Sequence, residues 1–168
     1  MTVEERIRQL GYELPQDKSP MANYVLCKKV GNLVFLSGHG PNGKEPKYIG
    51  KVGREVSQEE AYEAAKHCAL YLLASLKAAI GDLDRVRGIV KLLGFVNATD
   101  DFKNHPEVIN GASDFLVQVF GDKGKHARSA VGMSSLPRGI PVEIEMIVEV
   151  EEANGSRKES NAQCMTAS

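Results

Sequence analysis

The sequence contains no tryptophan and only three cysteines in 168 residues. Cys27, Cys68 and Cys164 stand far apart, without the paired spacing of a metal site, which favours a reducing compartment. Lysine plus arginine (21) nearly cancels aspartate plus glutamate (22), so the chain lacks the positive field that attracts polyanions, and no nucleic-acid partner is expected. Nowhere does an apolar run approach about 18 residues. We therefore expect no membrane association and a cytoplasmic location.

The chain is long enough for one hydrophobic core, with 42% hydrophobic residues, and too short for two ordinary domains. We predict an amino-terminal helix and linker over residues 1–20, a single α+β domain over 21–151, and a polar, disordered tail over 152–168. Two capping-box patterns, a proline suited to a first helical turn, and glycine stops predict three helices. They begin near Thr2, Ser57 and Pro106 and end near Gly11, Gly81 and Gly121.

Alternating apolar residues and turn signals predict the strands. Gly31-Asn32 is a hairpin signal, and "VEIEMIVEVEE" alternates as a strand with one face on the core. Together with the helices, these strands predict a mixed β-sheet with two helices packed on one face. The predicted strands span Tyr24–Val30, Leu33–Ser37, a short piece near Tyr48–Val52, Val86–Asn97 with bends or bulges at Gly88 and Gly94, Ala127–Met133, and the alternating run from Val142.

Motifs for a metal or a cofactor are missing. The four histidines have no ligand spacing, so no metal is predicted. "GHGPNG" matches neither the phosphate-loop pattern nor the dinucleotide fingerprint and is better explained as the exit from a hairpin, so no cofactor is predicted.

Three segments resemble the YjgF/RidA family, also known as the L-PSP endoribonuclease-like family. They are "NYVLCKKVGNLVFLSGHGP", "GDLDRVRGIVKLLGFVNATDDF" and "ARSAVGMSSLPRGIPVEIEMIVEV". The third is the most specific because it combines an Arg-Ser pair, a Leu-Pro corner and an EIE strand. The resemblance implies a chorismate-mutase-like fold, a homotrimer whose sheets form a central barrel, and small-ligand clefts between subunits.

The best-described activity of that family is the hydrolysis of reactive 2-imino or enamino acids to 2-keto acids and ammonia. By position, the resemblance implies that the clefts use Tyr24, Arg128 and Glu143, with Asn110 lining or supporting the site. Ala130 stands where cysteine is frequent, so any role of Ala130 would belong to its backbone carbonyl. His39 stands where glutamine is common.

The chemistry of these residues suits that reaction. A guanidinium stays charged and matches a carboxylate with two parallel donors, so Arg128 would fix the substrate. A carboxylate such as Glu143 can orient a water and accept its proton. Each residue also has a simpler explanation: Arg128 as an ion-paired strand residue, Glu143 as a solvated or intersubunit charge, Tyr24 as a packed aromatic, and Asn110 as a brace for a loop.

Three functions remain open from the sequence. The first is the imino-acid deaminase. The second is a non-catalytic trimer that binds a small carboxylate metabolite as a sensor or scaffold, which the departures at His39 and Ala130 favour. A ribonuclease is the least favoured, because the chain has no basic stripe with interleaved aromatic residues.

Overall fold

The computed structural model describes residues 1–16, 23–43 and 46–152. The predicted linker between Asp17 and Ala22 and the predicted tail from Ala153 lie outside these residues. In the part of the chain that is described, no helix is both long and apolar enough to cross a membrane.

The core of the fold is a five-stranded mixed sheet with the order β1-β2-β5-β3-β4. Strands β3 and β4 run parallel, and the other neighbours run antiparallel. The last strand in sequence therefore lies at the centre of the sheet. The strands are β1 (Cys27–Val30), β2 (Leu33–His39), β3 (Val86–Asn97), β4 (Ala127–Met133) and β5 (Val142–Val150).

Three helices accompany the sheet: α1 (Val3–Gln9), α2 (Gln58–Ile80) and α3 (His105–Phe120). The predicted capping boxes are confirmed, since the side chains of Thr2 and Ser57 accept from the amides of Glu5 and Glu60, whose carboxylates bond back to the cap amides. Glycine ends α2 and α3 as predicted, at positive φ.

Helices α2 and α3 pack on one face of the sheet and against each other. Gly111 of α3 makes the helix contact close: a Cβ at this position would lie 1.9 Å from the carbonyl oxygen of Tyr62 on α2. The resulting core buries aliphatic side chains from both layers, among them Leu72, Leu76, Leu92, Leu116, Ile144 and Met146.

The short helix α1 is attached to the rest of the molecule by apolar and polar contacts. Ile7 is 1% exposed, the amide of Val3 donates to Oδ1 of Asp84 at 2.8 Å, and Lys77 of α2 pairs with Glu4 at 3.0 Å. The apolar side of α1 is therefore part of the same core.

The other face of the sheet lacks helices among the described residues and exposes large apolar side chains. Phe35, Val90 and Val131 are each 41% exposed. The sheet therefore presents an exposed apolar face opposite the helices.

Two strand predictions are wrong in detail. Tyr48–Val52 forms only isolated bridges at Val52, because the side chain of Asn42 bonds the backbone of Lys47 and Tyr48 and replaces a strand ladder. Strand β1 begins at Cys27 instead of Tyr24.

Of the two glycines predicted to bend or bulge β3, one coincides with an irregularity and the other does not. A register shift against β5 lies at Gly88. Gly94 lies in regular register, and its missing Cβ makes room for Ile109, whose Cδ1 would be 2.5 Å from it.

Candidate functional site around Arg128

Arg128 lies on the edge strand β4, in register with the buried Leu92 of β3, and its side chain points toward α3. Its Nη1 donates to Oδ1 of Asn110 at 2.7 Å and to Oγ of Ser113 at 3.1 Å. Asn110 and Ser113 are three residues apart and therefore share one face of the helix. The parallel β3-α3-β4 unit thus fixes one nitrogen of the guanidinium.

The charge of Arg128 is half-buried and held by neutral groups alone. Among the described residues, no carboxylate lies within ion-pair distance of Arg128, and both of its hydrogen bonds use Nη1. The sequence-based alternative of an ion-paired strand arginine is therefore not supported in this part of the chain. A partly desolvated guanidinium with unused donors is suited to bind an anion with planar geometry.

Asn110 does have a bracing role, but for the arginine itself and not for a loop. Ala130 lies two residues after Arg128 on the same strand face, in register with Gly94, and packs against the core. The structure therefore brings Arg128, Asn110 and Ala130 to one edge of the sheet.

Sequence reasoning missed two further residues of this edge, Ser113 and His126. Nε2 of His126 lies 3.0 Å from Oγ of Ser113, and Nδ1 lies 2.6 Å from the carbonyl oxygen of Gly124. The signals were present: Ser113 follows Asn110 by three residues on a predicted helix, and His126 stands directly before the predicted strand, two residues before Arg128.

Glu143 lies on the opposite face of the sheet. It is in register with Phe95, which is three positions from Leu92 on β3 and so points away from the helices. Its carboxyl is half-buried and fits beside Gly38, where a Cβ would lie 2.9 Å from Oε2. Burial raises the pKa of Glu143, and the neighbouring charge of Glu145 raises it further. A carboxyl in this setting holds a proton more readily than an exposed one does.

Tyr24 lies at the other edge of the sheet, before β1, and is 45% exposed. It borders a shallow cavity of about 480 Å³ on the face that carries Glu143. Other lining residues are Lys28, Phe35, Ser37, Glu145 and Ile147. Within one chain, Tyr24 thus lies at the opposite edge of the sheet from Arg128, and Glu143 lies on the opposite face of the sheet.

His39 is buried and belongs to a small polar network between the sheet and α2. Its Nδ1 lies 2.6 Å from the carbonyl oxygen of Ser37, and its Nε2 lies 2.7 Å from Oγ of Ser75. Across residues 1–16, 23–43 and 46–152, no group of three or more histidine, cysteine, aspartate or glutamate side chains is arranged to hold a metal ion.

Comparisons with known proteins agree with the observed fold. The chain is 40% identical to Protein TCP17 of Trypanosoma cruzi over 150 residues, which are 88% of this chain and 94% of that one. It is 27% identical to a 2-iminobutanoate/2-iminopropanoate deaminase of Dermatophagoides farinae over 139 residues, 82% and 93% of the two chains.

Among crystal structures, the protein Atu1372 of Agrobacterium tumefaciens, whose function is unknown, superposes with a TM-score of 0.84 at 44% identity. That superposition covers 89% of this chain and 92% of the other. Residues 4–144 match the family model described as "YjgF/chorismate mutase-like, putative endoribonuclease". A match of this extent confirms the resemblance seen in the sequence, and the chain therefore belongs to the YjgF/chorismate mutase-like family.

Proposed function

We propose that the protein hydrolyses reactive 2-imino or enamino acids to 2-keto acids and ammonia, in clefts between the subunits of a homotrimer. The observation that carries this proposal is Arg128: a half-buried guanidinium held by Asn110 and Ser113 through one nitrogen, with its other donors directed to no partner among the described residues. A 2-imino acid presents the planar carboxylate that such a group binds. The deaminase of Dermatophagoides farinae supports the choice of substrate class.

In the proposed reaction, Arg128 fixes the substrate carboxylate and thereby orients the adjacent carbon-nitrogen double bond. Water adds to the imine carbon, its oxygen forming the new bond while Glu143 accepts its proton. Glu143 passes this proton to the nitrogen, which gives a carbinolamine. Glu143 then transfers the hydroxyl proton of the carbinolamine to the same nitrogen, the carbon-nitrogen bond breaks, and ammonia leaves as the keto group forms. Burial raises the pKa of Glu143 and so makes its carboxylate a stronger base toward the attacking water.

The positions of the residues require a second copy of the chain for this reaction. Arg128 and Glu143 lie on opposite faces of one sheet, so no side-chain rotation within a subunit can join them. We propose that the β4 edge of one subunit meets the face of its neighbour that carries Tyr24 and Glu143. Exposed apolar residues on that face, such as Phe35 and Val131, supply surface for this contact.

The first experiment measures the disappearance of imino acids generated by an amino-acid oxidase and trapped with semicarbazide. We expect the wild type to accelerate the loss and Arg128→Ala to lower kcat/KM by roughly a hundredfold or more. Arg87→Ala is the matched control, because Arg87 is an exposed arginine on β3. The deaminase proposal would be contradicted if the wild-type protein, assembled as a trimer with three times the 18.3 kDa chain mass, did not accelerate the loss.

Mixed trimers test whether the cleft lies between subunits. Arg128→Ala and Glu143→Gln subunits, inactive alone, are unfolded, mixed and refolded together. If one subunit supplies Arg128 and its neighbour supplies Glu143, some mixed clefts contain both intact residues and activity returns in part. If both residues served from the same subunit, no combination would restore activity.

A second candidate is a non-catalytic trimer that binds a small carboxylate metabolite as a sensor or scaffold. It is favoured by Ala130, which offers no side-chain nucleophile, and by the separation of Arg128 from Glu143 within one chain. Pyruvate binding that Arg128→Ala abolishes, without any acceleration of imino-acid loss, would identify this function. The balanced charge of the chain gives no reason to propose a ribonuclease.

A further inference from the structure

His126 lies directly before β4, and its half-buried ring has a different partner at each nitrogen. The carbonyl oxygen of Gly124, 2.6 Å from Nδ1, can only accept a hydrogen bond, so Nδ1 carries a hydrogen. In the neutral ring Nε2 is then an acceptor. The hydroxyl of Ser113, 3.0 Å away, therefore donates its hydrogen to Nε2.

Ser113 connects His126 to the guanidinium. Its oxygen accepts a hydrogen bond from Nη1 of Arg128 at 3.1 Å while its one hydrogen is engaged by the neutral ring. Protonation of His126 turns Nε2 into a donor. Ser113 then accepts from both sides, and its hydroxyl hydrogen becomes available to a group bound at Arg128.

We propose that His126 is a positioning residue of the carboxylate site that takes up a proton when an anion occupies Arg128, so that Ser113 turns its hydroxyl hydrogen to that anion. This inference rests on the proposed function insofar as Arg128 must bind a carboxylate. The protonated ring also adds a second positive charge near the anion. Both effects favour binding, so affinity for a carboxylate should increase as the pH falls.

The electrostatics of the site agree with this direction. Burial lowers the pKa of His126, the hydrogen bond to Gly124 raises it, and the charge of Arg128 lowers it. A bound carboxylate offsets the charge of Arg128 and so raises the pKa of the ring. Because linkage is reciprocal, the ligand that favours protonation binds the protonated protein more tightly.

Three of the other charged groups near this edge have their own partners, and the fourth, on β3, is in register with the residue after His126. They are Lys125 paired with Asp122 at 2.8 Å, Asp114 accepting from Tyr62 at 2.9 Å, Lys123 donating to the carbonyl of Val86 at 3.3 Å, and Lys91 of β3 in register with Ala127. Arg128 is the charged group that influences the titration of His126.

The probe for the test is pyruvate, which stays ionised throughout the pH range of a histidine. Calorimetry at constant ionic strength should give a Kd that is roughly fivefold tighter at about pH 5.5 than at about pH 8. Nuclear magnetic resonance of the wild-type histidine rings should show His126 with its hydrogen on Nδ1. The same spectra should show the pKa of His126 increasing when pyruvate saturates the protein.

Three variants separate positioning from folding. In His126→Gln, the amide oxygen can still accept from Ser113 but cannot titrate, so pyruvate binding should persist at high pH and lose its pH dependence. Ser113→Ala should weaken the same dependence by removing the connection. His105→Gln is the control: His105 also packs near β4, where its ring fits beside Gly132, and this change should leave the pH dependence intact.

The outcomes distinguish this inference from the proposed function. A Kd that depends on Arg128 but not on pH, or a His126 ring with its hydrogen on Nε2, would overturn the role of His126 and leave the carboxylate site standing. Absence of Arg128-dependent pyruvate binding at every pH would overturn the proposed function and this inference with it. Because the spectra use the wild type, the test stands even if His126→Gln fails to fold.

Discussion

Replacing Gly111 by alanine should destabilise the protein, although helix propensity alone predicts the opposite. Alanine in a helix is more favourable than glycine by about 1 kcal/mol. Gly111, however, lies where α3 touches α2, and the new Cβ would be 1.9 Å from the carbonyl oxygen of Tyr62. Backbone cannot yield as a flexible side chain can, so the two helices must separate locally.

The size of the effect follows from that distance. The helices would have to retreat by about 1.1 Å to restore a 3.0 Å separation, and overpacking of this kind costs about 3 kcal/mol. After the gain in propensity, we expect a net loss of about 2 kcal/mol and a Tm lower by roughly 4–8 °C. Because α3 also carries Asn110, the guanidinium of Arg128 should lose its alignment and carboxylate binding should weaken.

Thermal unfolding followed by circular dichroism, at one fixed protein concentration, checks this prediction. Gly81→Ala is the comparison: a Cβ added there would meet no atom of a non-adjacent residue within 4 Å, and the φ of +85° makes the change costly through backbone strain alone. Gly81→Ala should therefore lower the Tm but leave pyruvate binding unchanged. A Gly111→Ala protein with an equal or higher Tm would refute the reasoning from helix contact.

Three further predictions test other parts of the structure. Ser57→Ala should cost about 1 kcal/mol of stability by removing a helix cap, and Ser57→Asp should restore most of it in chemical denaturation. Burial and the charge of Glu145 raise the folded-state pKa of Glu143, so ionisation of this carboxyl opposes folding. Glu143→Gln should therefore raise the Tm at neutral pH. The gain should disappear in thermal melts at acidic pH, where the wild-type carboxyl is already protonated. Lys51→Met should cost about 1–3 kcal/mol in the same denaturation assay, because Nζ of Lys51 donates at 2.8 Å to Oδ1 of the buried Asn97.

Local sequence signals were sufficient for most of the fold. The capping box at Ser57, the stop at Gly81 and the two-residue turn at Gly31 each depend on neighbouring residues, and the structure has the elements they predict. The loop before Val52 differs because its conformation is set by the side chain of Asn42, which bonds backbone groups five and six residues away that no strand pattern records.

The candidate site was only partly predictable. The motif around Arg128 indicated an anion-binding residue, and Asn110 was placed near it by resemblance. The contact of Ser113 and His126 depends on how α3 crosses β4, which is a tertiary property. The opposite faces of Arg128 and Glu143 follow from the pairing of β3 with both β4 and β5, and sequence periodicity does not specify which strands pair.

The order of the strands has a consequence for synthesis of the chain. Strand β5 is the last of the five in sequence, yet it lies between β2 and β3 and is the one strand that joins the amino-terminal hairpin to the β3-α3-β4 unit. On the ribosome, β2 and β3 therefore each keep an unpaired edge until Val142–Val150 has emerged. Such edges are templates for pairing with other chains. The nascent protein should be most prone to aggregation just before this strand leaves the exit tunnel.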